Sequence, residues 1–236
     1  MASTQLISTA TIILLSLDFS LTDRLRSIFP PSTHPLKQSL LNMGLTRTLV
    51  YSGSLLSLSG LYIYQYTSPI RQDPSRPLAQ LVAKQIETFN TNRNLVDWTY
   101  LSLRRSKSDF TATQVPTAKS VMLAMFNSWV MAPERTFARL FTSSYSPATA
   151  TVGESSFGLF DTVYSDSDNV ILYWRMRNTL EGLHVIRAID QGEDVVFQFD
   201  TVFWNPVRQV PPANAFSNYI HTVYAKMLLR AAVAAV

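Results

Sequence analysis

The feature that most constrains the fold is a set of four alternating segments in the second half of the chain. In each segment hydrophobic and polar residues alternate, which is the period of a β-strand. Residues that favour turns, such as Asp, Asn, Ser and Gly, separate the segments. Because short links join only antiparallel neighbours, the sequence predicts an antiparallel meander. The predicted strands are 157–164, 170–177, 183–189 and 195–204.

Helical patterns precede and follow the predicted meander. Apolar residues recur at helical spacing over 78–89, from 117 onward and again after Pro133, with an aromatic-rich strand predicted at 96–101 between the first two. A last helical stripe over 216–231 predicts a long C-terminal helix. This order indicates an α+β fold, in which a curved antiparallel sheet wraps around the C-terminal helix and buries both apolar faces.

Composition excludes several classes of function. The 236 residues suit one domain with an appendage. The chain has no cysteine and three histidines, so a disulfide scaffold, a structural zinc site and a thiol nucleophile are excluded. Lys and Arg total 20 against 16 Asp and Glu, without a basic stripe, so no nucleic-acid partner is predicted. Phosphate-binding and dinucleotide motifs are absent from the sequence, and no cofactor or metal is predicted.

The N-terminal third of the chain has the pattern of a membrane segment. Residues 48–70 contain no charged residue over 23 positions, and tyrosines lie near both ends. We therefore expect a transmembrane helix at 48–70, after an apolar segment and Pro-containing linker at 1–47 and before a folded domain at 71–236. Serines and glycines dilute the hydrophobicity of 48–70, so a buried helix of a soluble domain is the alternative.

This segment also sets the expected location and contacts. The sequence predicts a membrane protein of the endoplasmic reticulum or the mitochondrion, and residues 1–17 lack the features that would separate the two. Membrane lipid is an expected contact. Small residues such as Gly53 and Gly60 allow close helix packing, so protein partners of the 48–70 helix are a further expectation.

His184 is the candidate catalytic residue. A two-residue turn at Gln191 and Gly192 would pair His184 with Phe199 across the last two predicted strands. The face that carries Phe199 is the more apolar side of its strand and is expected to point inward, which places His184 in or beside a cavity. There an imidazole can act as a general base or orient a ligand. A core histidine bonded to backbone is the alternative.

The other candidate site residues are predicted to bind ligand. His221 and Tyr224 lie on the predicted C-terminal helix, where they can line the same cavity from the opposite wall, unless His221 is a helix-edge residue half in water. An arginine in the second predicted strand can hold a carboxylate or phenolate, unless it only pairs with exposed acids. Aromatic residues can stack on a planar ligand, although strand aromatics are usually core. The predicted ligand-binding residues are Arg177, Phe197, Phe199, His221, Tyr224, Trp98 and Trp129.

Five short stretches resemble the START-like, polyketide-cyclase superfamily. The resemblance covers about residues 95–235. It implies that 71–236 is a helix-grip ligand-binding domain, with an elongated apolar cavity between sheet and C-terminal helix that takes lipids, sterols or polyketides. Members range from carriers to cyclases, so the fold does not select a reaction. The stretches are Phe126-Asn127-Ser128-Trp129, Gly158-Leu159-Phe160-Asp161, Glu181-Gly182-Leu183-His184, Phe199-Asp200-Thr201 and 224–232.

Three functions follow from these features. The first is a membrane-anchored domain that binds a hydrophobic small molecule, lipid-like or polyketide-like, in an apolar cavity. The second is a cofactor-free cyclase, isomerase or cycloaddition enzyme on the same scaffold, in which His184 or an arginine supplies a proton or stabilises an enolate. The third is a non-catalytic subunit of a membrane complex.

Overall fold

The computed structural model describes residues 57, 59–110, 115–142, 144–176 and 179–236. The chain divides into two units, Met1–Gln65 and Tyr66–Val236, which are described separately. In the first unit, residues 59–65 are helical. All strands and helices named below belong to the second unit.

The described residues of the second unit alternate between helices and strands much as the sequence predicts. A single turn of 3₁₀ helix, Lys107–Asp109, follows the second strand. In chain order the elements are β1 (Arg71–Gln72), α1 (Gln80–Phe89), β2 (Val96–Ser106), α2 (Ala118–Asn127), α3 (Ala132–Phe141), β3 (Ser155–Ser156), β4 (Phe160–Ser165), β5 (Asn169–Met176), β6 (Leu180–Gln191), β7 (Asp194–Trp204) and α4 (Ala215–Val233).

The strands form one antiparallel sheet in the order β1-β2-β7-β6-β5-β4-β3. Strands β3 to β7 are neighbours in chain order, so the predicted meander is confirmed. The last strand, β7, also pairs with the first long strand, β2, so β7 lies between β2 and β6. The predicted α+β class, with an antiparallel sheet and a C-terminal helix, is therefore confirmed.

Side-chain and backbone chemistry close the β4–β5 and β6–β7 hairpins. Asp166 Oδ1 accepts hydrogen bonds from the backbone N–H groups of Asp168 at 2.8 Å and Asn169 at 2.6 Å, which closes the turn between β4 and β5. Gly192 adopts a φ of 70° in the turn between β6 and β7, a conformation that glycine reaches without steric cost.

The predicted register of the β6–β7 hairpin is wrong by two residues. The turn comprises Gly192 and Glu193, one position later than predicted, so His184 pairs with Thr201 and not with Phe199. Moving a two-residue turn by one position shifts the register by two, and side chains alternate with a period of two. His184 therefore still shares its face of the sheet with Phe199, as predicted.

One face of the sheet, called the inner face, carries the main core. Helices α2 and α4 pack against it and against each other. Burial of these apolar side chains stabilises the fold by roughly 25 cal/mol per Å² removed from water. The buried residues include Val121, Met122 and Met125 of α2, Leu228, Leu229 and Ala232 of α4, and Leu101, Leu172, Ile186, Phe197 and Phe199 of the strands.

The opposite face, called the outer face, is partly covered by α1. Val82 of α1 is completely buried against Ile171, Leu183 and Val202 of the sheet. Tyr173 stacks on Phe89 of the same helix, with ring centroids 4.4 Å apart. Because this part of the sheet is buried on both sides, its strands are apolar on both faces rather than strictly alternating.

The predicted membrane helix lies largely outside the described part of the chain. Its residues 48–56 and 58 are not described, and the same is true of the predicted apolar segment and linker at 1–47. Among the residues that are described, no helix is both long and apolar enough to cross a bilayer. The membrane span stays a prediction.

Gly182 on β6 is the glycine whose replacement we expect to perturb the sheet most. A Cβ atom there would lie 2.7 Å from the Trp174 ring and would also overlap the Val202 carbonyl oxygen. Gly182→Ala should therefore lower the free energy of unfolding by about 1–3 kcal/mol, the cost of overpacking, and should change the near-ultraviolet circular dichroism of tryptophan. Urea unfolding and near-ultraviolet spectra measure the two effects.

The matched control is Gly192→Ala. A Cβ atom at Gly192 meets nothing within 4 Å, so its expected cost of about 1–2 kcal/mol comes only from the positive φ. The near-ultraviolet spectrum of this variant should match that of the wild type. Wild-type stability and an unchanged spectrum in Gly182→Ala would contradict the packing described for Trp174.

Candidate functional site

A cavity of about 410 Å³ lies between the inner face of the sheet and helices α2 to α4. Its wall is mainly apolar and aromatic, and two exposed residues, Met176 and Ser217, mark the side where it meets the surface. Besides Ser217, four polar side chains reach it from β6, α3 and α4. The apolar wall includes Met125, Phe126, Leu172, Ile186, Phe199 and Phe203, and the polar side chains are Glu134, His184, His221 and Tyr224.

His184 lies at the centre of an aromatic cluster in this cavity. Its ring centroid is 5.3 Å from that of Phe199, 5.6 Å from Trp174 and 5.8 Å from Phe160. The Nδ1 atom is buried and has no hydrogen-bond partner among the described residues. Burial, and secondarily His221, lowers the pKa of His184 to about 3. The imidazole is therefore neutral at physiological pH and offers one donor and one acceptor.

His221 faces His184 from α4. The two rings are nearly parallel, with centroids 6.4 Å apart, and Phe203 lies 5.3 Å from His221. Its Nε2 atom is likewise buried without a partner among the described groups. Burial lowers the pKa of His221, and the charge of Asp97 opposes this effect. The cavity therefore holds two imidazoles that both favour the neutral form.

Tyr224 and Glu134 form the polar part of the cavity next to α3. The Tyr224 hydroxyl donates to the Val130 carbonyl oxygen at 3.2 Å. Burial raises the pKa of Glu134, and burial with the nearby Glu134 charge raises that of Tyr224. The Glu134 Oε2 atom is buried without a partner in the described structure. A carboxyl group whose protonated form is favoured inside an apolar cavity can exchange protons closer to neutral pH than usual.

Glu134 was not predicted as a site residue. Its position after Pro133 is typical of an acid in the first turn of a helix, where it interacts favourably with the helix dipole. The apolar residues of α3 gave no better signal, because Phe137, Leu140 and Phe141 are 57%, 70% and 72% exposed and do not mark a buried face. Only the tertiary placement of α3 brings Glu134 to the cavity.

The structure brings four of the predicted site residues together and separates three others. His184, Phe199, His221 and Tyr224 all line the cavity. Phe197 shares the inner face but packs in the core against Phe110, with ring centroids 5.8 Å apart. Trp129 contacts the Tyr66 ring at 6.4 Å and packs at the edge of the core, outside the cavity lining.

Trp98 requires a correction, and Arg177 lies outside the described residues. Trp98 pairs with Val202 on β7 and packs on the outer face beneath α1, so it does not reach the cavity. The face could not be read from the sequence because β2 has apolar residues on both sides. On β5, Arg175 contacts Glu181 with Nε and Oε1 3.3 Å apart, on the face opposite the cavity-lining Trp174.

Four polar atoms of the cavity lack hydrogen-bond partners among the described residues. His184 Nδ1, His221 Nε2, Glu134 Oε2 and Trp174 Nε1 are all buried and lack hydrogen bonds within the described residues. Each such atom costs about 1–3 kcal/mol when it stays unsatisfied. The cavity therefore combines an apolar wall with donors and acceptors that a bound molecule can satisfy. Among the described residues, no group of three or more His, Asp or Glu side chains could hold a metal ion.

The fold and the cavity define an α+β domain with an antiparallel sheet and an apolar cavity beneath the C-terminal helix. This architecture is compatible with a helix-grip fold. The sequence matches no protein-family model and no curated protein.

The solved structures that are similar to this chain include those of two proteins. Mll3558 from Rhizobium loti is 12% identical and has a TM-score of 0.32, over 61% of this chain and 100% of that chain. Norcoclaurine synthase from Thalictrum flavum, in complex with dopamine and hydroxybenzaldehyde, is 10% identical with a TM-score of 0.22, over 65% of this chain and 94% of that chain.

The buried state of His184 predicts a pH dependence of stability. Its pKa is about 3 in the folded protein and 6.5 for an unperturbed histidine, so the unfolded chain binds more protons between these values. The contribution of neutral His184 to the free energy of unfolding is complete above pH 6.5 and is lost as the pH falls towards 3. His184→Phe should remove a slope of up to about 1.4 kcal/mol per pH unit below about pH 6. Urea unfolding between about pH 7 and 4.5 measures it.

The informative quantity is the difference between wild type and variant. Burial raises the pKa of Asp200 to about 6, so its contribution changes in the opposite direction over part of the same range and masks the absolute slope. Asp200 is present in both proteins, and its effect cancels in the difference. If both proteins show the same slope, His184 is not buried in the neutral form.

Proposed function

We propose that this protein binds a hydrophobic small molecule, lipid-like or polyketide-like, in the inner cavity of a helix-grip domain. The observation that carries the proposal is the cavity of about 410 Å³, whose wall is mainly apolar and four of whose polar atoms are buried without partners among the described residues. Ligand sites in proteins typically measure about 300–1,000 Å³ and combine an apolar lining with a few placed polar groups.

The two kinds of wall have different roles in this proposal. The aromatic and aliphatic side chains around Phe199 supply affinity by removing apolar surface from water. His184, His221 and Trp174 orient the ligand, because each offers a buried ring nitrogen to it. A neutral molecule with hydroxyl or carbonyl groups on an apolar body fits this combination, whereas a charged group would be buried at high cost.

Anchoring at a membrane belongs to the same proposal. Its support is the uncharged stretch at 48–70, together with the tendency of hydrophobic ligands to partition into bilayers. In this view the segment keeps the domain close to the phase that contains its ligand. Carbonate extraction of membranes from cells that express the full chain tests it: release into the soluble fraction would argue against a span.

A second candidate function is an enzyme that needs no cofactor. Glu134 favours it, because a carboxyl group with a raised pKa lies beside Tyr224 in an apolar cavity. Such a group can take a proton from a bound substrate and return it elsewhere, as an isomerisation or cyclisation requires. His184, with a pKa of about 3, is too weak a base for this step at neutral pH and instead acts as a hydrogen-bonding group.

The binding proposal is tested by filling the mouth of the cavity. Ala213 lines the cavity ahead of α4, whereas Ala215 is exposed and does not line it. Ala213→Trp should weaken binding of the neutral dye Nile red at least tenfold and remove any co-purified molecule from the native mass spectrum of the full chain. The matched variant Ala215→Trp should bind like the wild type. Equal binding by both variants would exclude this cavity as the site.

A substitution of Glu134 distinguishes the carrier function from the enzyme function. The molecule that travels with the full chain is identified by organic extraction and incubated with fresh protein. A carrier returns it unchanged. If it is converted, Glu134→Gln should slow conversion about 100-fold or more, as expected for loss of a general acid or base. Thr136→Ala, on the exposed side of the same helix, should convert at the wild-type rate. Conversion undiminished in Glu134→Gln would remove the proposed role.

A further inference from the structure

A second pocket lies on the outer face of the sheet and has the opposite chemistry. Its volume is about 600 Å³. Three of its lining residues are arginines, Arg71, Arg76 and Arg104, and one is an acid, Asp73. Most of the other lining side chains are uncharged but polar. The pocket therefore suits a polar, negatively charged molecule rather than the hydrophobic ligand of the inner cavity.

The carboxylate of Asp73 in this pocket already accepts hydrogen bonds from a neighbouring residue. Asp73 Oδ1 accepts hydrogen bonds from the Ser75 backbone N–H at 3.0 Å and from the Ser75 hydroxyl at 2.7 Å. These bonds lower the pKa of Asp73 and hold its carboxylate in a local turn. It does not form an ion pair with any of the three arginines in the described structure.

Two of the arginines remain available to an anion. Arg104 forms a salt bridge with Asp194, with Nη1 and Oδ2 3.3 Å apart, whereas Arg71 and Arg76 form no ion pair among the described residues. Arg76 is held in place because its Nη1 donates to the Tyr100 hydroxyl and its guanidinium lies 4.5 Å from the centre of that ring. A guanidinium has five N–H donors, so most of them stay available.

A buried cation, Arg187, lies beside the pocket on the same outer face, directly across from Gln198 on β7. Gln198, only 2% exposed, lines the floor, and its Oε1 accepts from Arg187 Nη1 at 3.5 Å. Arg187 is itself 7% exposed, and its buried Nε has no partner among the described residues. Asp200 forms no salt bridge with Arg187 in the described structure, but the two charges interact, since Arg187 opposes the rise in the pKa of Asp200. A buried guanidinium is costly, so an anion in the neighbouring pocket would add to the compensation that Asp200 supplies.

We propose that the outer-face pocket binds the phosphate or carboxylate group of a small ligand through Arg71 and Arg76. Tyr100, whose oxygen accepts from Arg76, can donate its own proton to the same anion, and the Gln198 amide lies at the floor. This site is separate from the inner cavity because the two lie on opposite faces of the sheet. It does not depend on the function proposed for that cavity.

The experiment uses the full chain in a neutral detergent, with inorganic phosphate and succinate as probes. Isothermal titration calorimetry at constant ionic strength, maintained with sodium chloride, should show saturable binding of at least one probe. Arg71→Gln and Arg76→Gln should each weaken it at least fivefold. The control is Arg208→Gln, an exposed arginine outside the pocket, which should bind like the wild type.

A lipid headgroup and a free phosphate offer the same chemistry, and a second arm separates them. Glycerol 3-phosphate is compared with phosphatidic acid incorporated into the detergent micelles, against micelles that contain only phosphatidylcholine. Tighter binding of glycerol 3-phosphate indicates a free phosphate ester, and tighter binding of phosphatidic acid micelles indicates a lipid headgroup. Either result supports the pocket if Arg71→Gln abolishes it.

Folding of the variants is checked independently of anion binding. Arg71 is exposed on a short edge strand, so its replacement should not affect the core, whereas Arg76→Gln breaks the contact with Tyr100. The urea midpoint of each variant reports whether it is folded. Absence of saturable binding to folded wild-type protein, or equal weakening by Arg208→Gln, would overturn the proposal.

Discussion

The structure depends on the pairing of β7 with β2 on one side and β6 on the other. All residues of this strand from Val195 to Trp204 are buried, so it has hydrogen-bonded neighbours at both edges and packed side chains on both faces. Because side chains alternate across a strand, β7 contributes Phe199 and Phe203 to the inner cavity and Gln198 to the outer pocket. One central strand therefore fixes the position of two chemically different sites.

The sequence predicted the arrangement of the sheet better than the pairing of individual residues. Alternation and turn residues were sufficient for the meander, and the face of His184 was predicted correctly even though its partner was not. The reason is that neighbouring choices for a two-residue turn differ by two in register, so they leave the face unchanged. The exact turn was not predictable, since Gln191, Gly192 and Glu193 allow either choice by composition.

Predictions failed where a local sequence pattern was compatible with more than one position in the folded structure. Trp98 lies on a strand that is apolar on both faces, so alternation could not tell the cavity side from the α1 side. Glu134 has an ordinary position in the first turn of a helix, and its burial depends on how α3 packs. The apolar stripe of α3 is exposed, so that helix is placed by contacts that its own periodicity does not show.

Burial gives the two sites opposite electrostatic character. In the inner cavity desolvation lowers the pKa values of His184 and His221 and raises that of Glu134, so burial disfavours the charged form of each of these groups. An arginine cannot respond in this way at accessible pH, so the outer pocket keeps its positive charge. The hydrogen-bonded sheet lies between the two sites and separates them. If both proposals hold, the charge of a ligand decides its face: an uncharged apolar molecule is favoured in the inner cavity, and a small anion in the outer pocket.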